Sequence, residues 1–195
     1  MKSKLVRVIT FLAIGTIAGE PRLGDAQVEV ASWLDAPTPA SWNEPGQSIP
    51  AAPPFERDID PRCREQARPA ELEEDRRVRD QGWYLEGAYQ GGWEILVIRG
   101  TAGYEGMCRP WQFQAFVFVR GVFAGTLSPE PMDSRTDGAV SQASVQGNDR
   151  LTAEYVRHTA DDPACCPSRT TRVVFEVAGA GPVLQPVSAS TSSER

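Results

Sequence analysis

Histidine is almost missing from this sequence of 195 residues, which has a single one, His158. A serine or cysteine nucleophile needs a nearby base, so any Ser-His or Cys-His machinery would have to use this residue. The sequence also lacks G-x-S-x-G, H-E-x-x-H and a phosphate-cradling glycine loop. We therefore predict no catalytic residue and a protein that is not an enzyme. The alternative is a hydrolase that uses His158 with a nearby serine or aspartate.

Basic residues are in deficit. Lysine and arginine total 20 against 26 aspartates and glutamates, which gives a formal net charge of -6. Nucleic acid binding needs a concentrated basic patch. The densest basic cluster, residues 76–79, has acidic residues on both sides and indicates a mixed-charge helix face. We expect no nucleic acid partner.

Metal-binding patterns are missing as well. The cysteines lack the C-x2-C spacing of structural zinc sites. Residues 133–138 resemble a calcium loop only faintly, because Arg135 stands where an oxygen ligand belongs and, further along, Ser144 stands where the bidentate glutamate belongs. We expect neither a metal nor a cofactor.

An apolar run at residues 8–18 is too short to span a bilayer, which needs about 20 apolar residues. It follows a basic start and precedes small residues, a pattern typical of a signal peptide. We predict a signal peptide over residues 1–26, cut after Ala26, with a cut after Ala18 as one alternative and an uncleaved anchor as another. The mature protein would be periplasmic or extracellular and would meet the membrane only transiently, through this peptide.

The segments on either side of the central region are low in apolar residues. Residues 27–62 are rich in proline, alanine and serine and predict a linker, although Trp33 and Trp42 suggest that part of it lies against the domain. A surface helix is predicted over residues 69–80, since acidic residues crowd its start and arginines its end. The serine-rich residues 188–195 predict a disordered tail.

Between these segments, apolar and β-branched runs alternate with glycine-containing turns. The runs predict strands over residues 83–89, 93–99, 113–120, 122–128, 138–146, 150–159 and 171–177. Alternation of apolar and polar residues is typical of antiparallel strands with one face on a core. The predicted fold class is α+β, mainly β: an antiparallel β-sheet meander over residues 63–187, with one short N-terminal surface helix and stabilising disulfides.

Three stretches together resemble the bacterial LppP/LprE lipoprotein family. They are GYEGMC at residues 103–108, VFVRGVFAGTL at 117–127 and YVRHTADDPACCPS at 155–168. The resemblance covers about residues 60–186 and implies an exported β domain. It implies no mechanism, because the family has no established activity. Unlike a lipoprotein, this chain has no cysteine near the predicted cut, so we expect no lipidation there.

The four cysteines are predicted to form disulfides, because an exported protein meets an oxidising compartment. Adjacent Cα atoms lie about 3.8 Å apart, whereas ordinary disulfides have Cα separations of about 4.4 to 6.8 Å. This favours pairing Cys165 and Cys166 with Cys63 and Cys108. Against it, neighbouring strand residues point to opposite faces, and the family resemblance implies that the Cys-Cys-Pro element occurs without other cysteines. We predict Cys63–Cys108 and Cys165–Cys166, and the cross-pairing stays open.

Aromatic and proline residues supply a possible binding surface. The candidates are Trp83, Trp93, Tyr104, Trp111, Pro163 and Pro167. The alternative is that the aromatic residues are core. Together with the absence of catalytic motifs, this surface predicts a structural or ligand-binding module, with an unknown envelope protein, a peptide or a glycan as its partner.

Overall fold

A computed structural model describes residues 32–134, 136–163 and 165–193. Its helical segments are a 3-10 turn (Trp33–Asp35), α1 (Pro61–Arg64) and α2 (Glu73–Arg79). Its strands are β1 (Tyr84–Gly91), β2 (Ile95–Glu105), β3 (Arg109–Val119), β4 (Val122–Thr126), β5 (Val140–Gln146), β6 (Arg150–Arg157), β7 (Arg169–Ala178) and β8 (Val183–Ser193). The predicted signal peptide and its cut after Ala26 lie outside the described residues. No helix in the described part of the chain is long and apolar enough to cross a membrane.

The strands form two antiparallel sheets of four, with β1 to β4 in the first sheet and β5 to β8 in the second. Each sheet is a meander in which neighbours in sequence are neighbours in space. The mainly β, antiparallel fold predicted from the sequence is confirmed. The two short α-helices lie between residues 61 and 79, directly before β1 and not at the N-terminus.

Both faces of the first sheet pack against apolar cores. One face contributes Val97, Phe113 and Val117 to a core that it shares with Leu151 and Phe175 of the second sheet. The opposite face is covered by α2 and by residues near position 50 and carries a second core, which includes Val78, Trp83, Leu85, Ile98, Phe116 and Phe118. Because both faces are covered, β2 and β3 contain nearly continuous apolar runs rather than strict alternation.

Residues 32–50, which we call the strap, close one side of this sandwich. Leu34 is buried in the shared core, and the Trp33 ring lies edge-on to the rings of Trp42 at 4.8 Å and Tyr155 at 5.1 Å. Most of the strap lacks regular secondary structure, but it packs on the domain. The interpretation as a linker is therefore wrong for these residues, because its tryptophans complete the core. The folded unit extends N-terminally beyond residue 63.

Asn43 of the strap joins the two sheets. Its Nδ2 donates hydrogen bonds to the main-chain oxygens of Thr126 in β4, at 3.1 Å, and Leu184 in β8, at 2.9 Å. Its Oδ1 accepts from the main-chain N–H of Thr126 at 2.9 Å. One side chain thus satisfies main-chain groups at the facing edges of both sheets.

Two further predictions need correction. Residues 188–193 are not disordered, because they pair in register with β7 as the second half of β8. The helix predicted from residue 69 begins at Glu73, since the main-chain N–H groups of Glu71 and Leu72 bond to the Asp75 carboxylate. It is also not purely a surface helix, because Asp75 and Val78 are buried.

All four cysteines of the sequence lie within the described residues and are paired. Cys63 of α1 is joined to Cys108 of the β2–β3 turn, with a Cα separation of 4.9 Å, as predicted. The structure joins Cys165 to Cys166 in the loop between β6 and β7. The first bond ties the segment before β1 to the end of the first sheet.

Candidate ligand-binding site at the turn end

The structure separates the six residues of the predicted binding surface. Trp83 is only 1% exposed, and its indole Nε1 donates to the main-chain oxygen of Pro50 at 2.8 Å. Tyr104 is buried with Ile59 and Cys63. A surface role is therefore wrong for Trp83 and Tyr104, which pack under the segments that precede β1.

The remaining four residues do not form one surface. Trp111 is partly buried and packs on Phe55, with 5.1 Å between ring centroids. Pro163 is exposed and Pro167 half-buried in the β6–β7 loop. Trp93 lies in the β1–β2 turn at the opposite end of the sandwich from that loop. Of the six predicted residues, Trp93 presents the largest exposed apolar area.

The end of the molecule that contains Trp93 also contains the β3–β4, β5–β6 and β7–β8 turns, and we call it the turn end. Within the described residues, five large apolar side chains are exposed, and three of them are at or near this end: Trp93 at 71%, Val122 at 51% and Tyr89 at 40%. Met107, at 93%, lies in the β2–β3 turn at the other end. Clustered exposed apolar residues mark interaction surfaces more often than scattered ones do.

A groove of about 310 Å³ runs beside Trp93. Its walls come from the start of α2, the end of β1, and the β1–β2 and β3–β4 turns; the lining residues are Leu72, Glu74, Tyr89, Gly92, Trp93, Leu96 and Gly121. Its volume falls at the lower limit of typical small-ligand sites, about 300 to 1,000 Å³. The groove therefore has room for a short segment of a partner polypeptide or for a small ligand.

Hydrogen bonds hold the two turns of the groove together. The main-chain N–H of Arg120 donates to the main-chain oxygen of Trp93 at 3.1 Å. The Arg120 side chain pairs with Glu94 at 2.8 Å. Gly121 adopts a positive φ of 79°, which glycine tolerates without strain. The backbone that carries Trp93 is thus fixed, although its ring is exposed.

Tyr89 on the opposite wall is supported by a buried ion pair. The Arg68 guanidinium lies over the Tyr89 ring at 5.6 Å and bonds to both carboxylate oxygens of Asp75, at 2.7 and 2.5 Å. Burial opposes ionisation of Asp75, but the hydrogen bonds from Arg68 and from the main chain at Leu72 lower its pKa below its usual value. The hydrogen bonds to Asp75 also raise the pKa of Arg68, so a charged guanidinium lies against the ring.

Glu74 is the single charged residue among those that line the groove. Its Oε1 lies close to the β3–β4 turn, since a Cβ built on Gly121 would be 3.4 Å away from it. Neighbouring arginines have other partners: Arg76 pairs with Glu73 at 3.0 Å, and Arg77 donates to the main-chain oxygen of Gly121 at 2.8 Å. Glu74 forms no ion pair within the described ranges, so its carboxylate can pair with a ligand.

His158, the residue of the hydrolase alternative, follows β6 at the end opposite to the groove. Its main-chain N–H donates to the Asp137 carboxylate at 2.8 Å, and that carboxylate also accepts from the buried Arg157 at 2.9 Å. The Nε2 atom of its ring is buried and has no hydrogen-bond partner in the described part of the chain. The nearby Asp162 caps its own loop, where the N–H of Thr159 and the groups of Ser168 lower its pKa to about 2.

Comparison with known proteins finds a similarity to one family. Residues 93–180 match the family model described as LppP/LprE lipoprotein. The LppP/LprE resemblance is confirmed. No curated protein and no solved structure matches the chain significantly. A lipoprotein family is consistent with an exported, envelope-associated protein.

The region that matches the LppP/LprE family begins at Trp93, so it includes only part of the groove lining. Trp93, Leu96 and Gly121 belong to the matched region, whereas Leu72, Glu74 and Tyr89 precede it. These last three residues were not among the predicted site residues. Tyr89 lies within a strand that was predicted correctly, but nothing in the local pattern shows that α2 packs beside it.

Proposed function

We propose that this protein is an exported, non-enzymatic binding module and that it recognises its ligand at the turn end, with Trp93 and Tyr89 as the aromatic contacts. The supporting observation is the 71% exposed indole of Trp93, held on hydrogen-bonded turns beside an apolar groove. Aromatic side chains contribute much of the binding energy of interfaces because they bury a large area with few rotatable bonds.

The proposed site of action is the periplasm or the extracellular space. The basic, apolar and small-residue regions at the start of the sequence support this location, as does the lipoprotein family. N-terminal sequencing of the exported material tests the proposal, and we expect Gln27 as the first residue. Retention of Met1 in that material contradicts cleavage.

A photocrosslinking experiment tests the binding role. A photoreactive phenylalanine analogue replaces Trp93 in one variant and Met107 in a matched control, and both are irradiated in the exporting cell. We expect an adduct from position 93 and none from position 107, because both side chains are exposed but only the first borders the groove. Equal crosslinking at both positions, or none at position 93, refutes the proposed surface.

The non-enzymatic part of the proposal has its own test. A His158→Ala variant removes the one residue on which a hydrolase of the Ser-His or Cys-His kind would depend. We expect ligand binding by this variant to equal that of the unaltered protein. An activity that is lost in the folded variant contradicts the proposal.

A further inference from the structure

We propose that the groove at the turn end binds a basic segment of a partner polypeptide, with an arginine or lysine side chain between the Trp93 ring and the Glu74 carboxylate. This inference rests on the proposed function, because it names the ligand of the same site. It commits to a cationic polypeptide and distinguishes that ligand from a neutral glycan.

The charge of the groove carries the argument. Glu74 lines an otherwise uncharged and largely apolar groove and has no cationic partner among the residues that the structure describes. Neither nearby arginine forms an ion pair with it, because Arg77 donates to the main-chain oxygen of Gly121 and Arg120 pairs with Glu94. A bound cation could form an ion pair with Glu74, whereas an anion would be repelled by this carboxylate. The net charge of -6 also favours the approach of a basic partner.

The aromatic walls favour the same ligand. A cation over an aromatic face gains electrostatic energy, and tryptophan is the best of the aromatic acceptors. The Tyr89 ring already has the Arg68 guanidinium beside it at 5.6 Å. No cation lies over the Trp93 ring within the described segments. The Trp93 face and the Glu74 carboxylate thus offer two complementary contacts to one cationic group.

The shape of the turn end favours a polypeptide over a small amine. A second depression, of about 290 Å³, lies on the other side of the β3–β4 turn and is lined by Val122, Asp149, Val177 and Pro182, among others. Gly121 lines the first groove, and its neighbours Arg120 and Val122 line the second. An extended chain that crosses this one turn contacts both depressions.

Peptide titration of the full chain tests the inference. The probes are Ac-Leu-Arg-Leu-NH2 and the same peptide with citrulline, which keeps the shape of arginine but removes its charge. The indole N–H signal of Trp93 in a nitrogen-15 spectrum reports binding, after assignment with Trp93→Phe. We expect the arginine peptide to bind about fivefold to tenfold more tightly than the citrulline peptide. Added salt should reduce this difference.

Glu74→Gln is the decisive variant, and Glu73→Gln is its matched control on the same helix but outside the groove lining. We expect Glu74→Gln to remove most of the preference for arginine, while Glu73→Gln retains it. An unchanged preference in Glu74→Gln, equal binding of both peptides, or no response of Trp93 to the arginine peptide contradicts the inference.

Two outcomes separate this inference from the proposed function. The chitin disaccharide serves as the neutral glycan probe. If it shifts the indole N–H signal of Trp93 and neither peptide does, the inference of a basic segment fails but the binding role of the surface stands. If the photoreactive residue at position 93 also forms no crosslinked adduct in the exporting cell, the proposed function fails as well.

Discussion

Replacing Asn43 by alanine tests how the two sheets are held together. The side chain is only 5% exposed and bridges Thr126 of β4 and Leu184 of β8. Its loss leaves three main-chain groups without their partner: both groups of Thr126 and the oxygen of Leu184. Each buried group left unpaired costs about 1 to 3 kcal/mol, and water entering the vacated space offsets part of this. We expect the free energy of unfolding to fall by about 3 kcal/mol.

The assay is equilibrium unfolding in urea, followed by far-ultraviolet circular dichroism. The control is Asn148→Ala, which removes the other asparagine of the chain from the exposed β5–β6 turn and should change stability by less than about 0.5 kcal/mol. A loss below about 1 kcal/mol for Asn43→Ala refutes the bridging role. Asn43→Asp should be at least as damaging at neutral pH, because an ionised carboxylate would face two carbonyl oxygens.

Three further predictions concern stability and disulfide pairing. Gly125→Ala should destabilise the protein, because its φ of 140° strains an L side chain and the new Cβ would lie 2.2 Å from Asn43 Cγ. Only the clash disappears when Asn43 is also replaced, so the two losses should add incompletely, and full additivity in urea contradicts this. Burial raises the pKa of Glu86 from 4.5 to about 7, so this residue lowers stability as the pH rises through that range. Glu86→Gln should lack this part of the decline, and identical pH profiles contradict the prediction. Non-reducing peptide mapping should recover Cys63 with Cys108, whose bond has a sequence separation of 45 and contributes about 4 kcal/mol in the chain-entropy view; Cys63 linked to either other cysteine contradicts it.

Seven of the eight strands follow from local sequence patterns. Turn glycines separate β-branched and aromatic runs, and this arrangement is visible without any knowledge of the tertiary structure. The eighth strand is not visible in this way, because residues 188–193 are mostly serine. They are ordered through main-chain pairing with β7, while Val183 and Leu184 anchor the strand in the core. Pro186 is tolerated on this edge strand beside a break in the register.

The candidate site was predictable only in part. Trp83 and Trp93 both flank apolar strands, so composition alone gives no reason to bury one and expose the other. Trp83 directly precedes β1 and is buried in the core between the first sheet and α2. Trp93 lies in the β1–β2 turn, where α2 borders the groove but does not bury the indole. Glu74 reaches the groove because α2 packs against the first sheet, and that contact between distant parts of the chain has no signature in the local sequence.

Oxidative footprinting tests the binding role of Trp93 most directly. Hydroxyl radicals oxidise exposed tryptophan and methionine, so Met107 at the opposite end serves as an internal reference within the same molecule. In the purified protein, both residues should be oxidised. In the intact cell envelope, we predict that oxidation of Trp93 falls severalfold while oxidation of Met107 is unchanged. Equal oxidation of Trp93 in both preparations, relative to Met107, contradicts the assignment of the turn end as the ligand-binding surface.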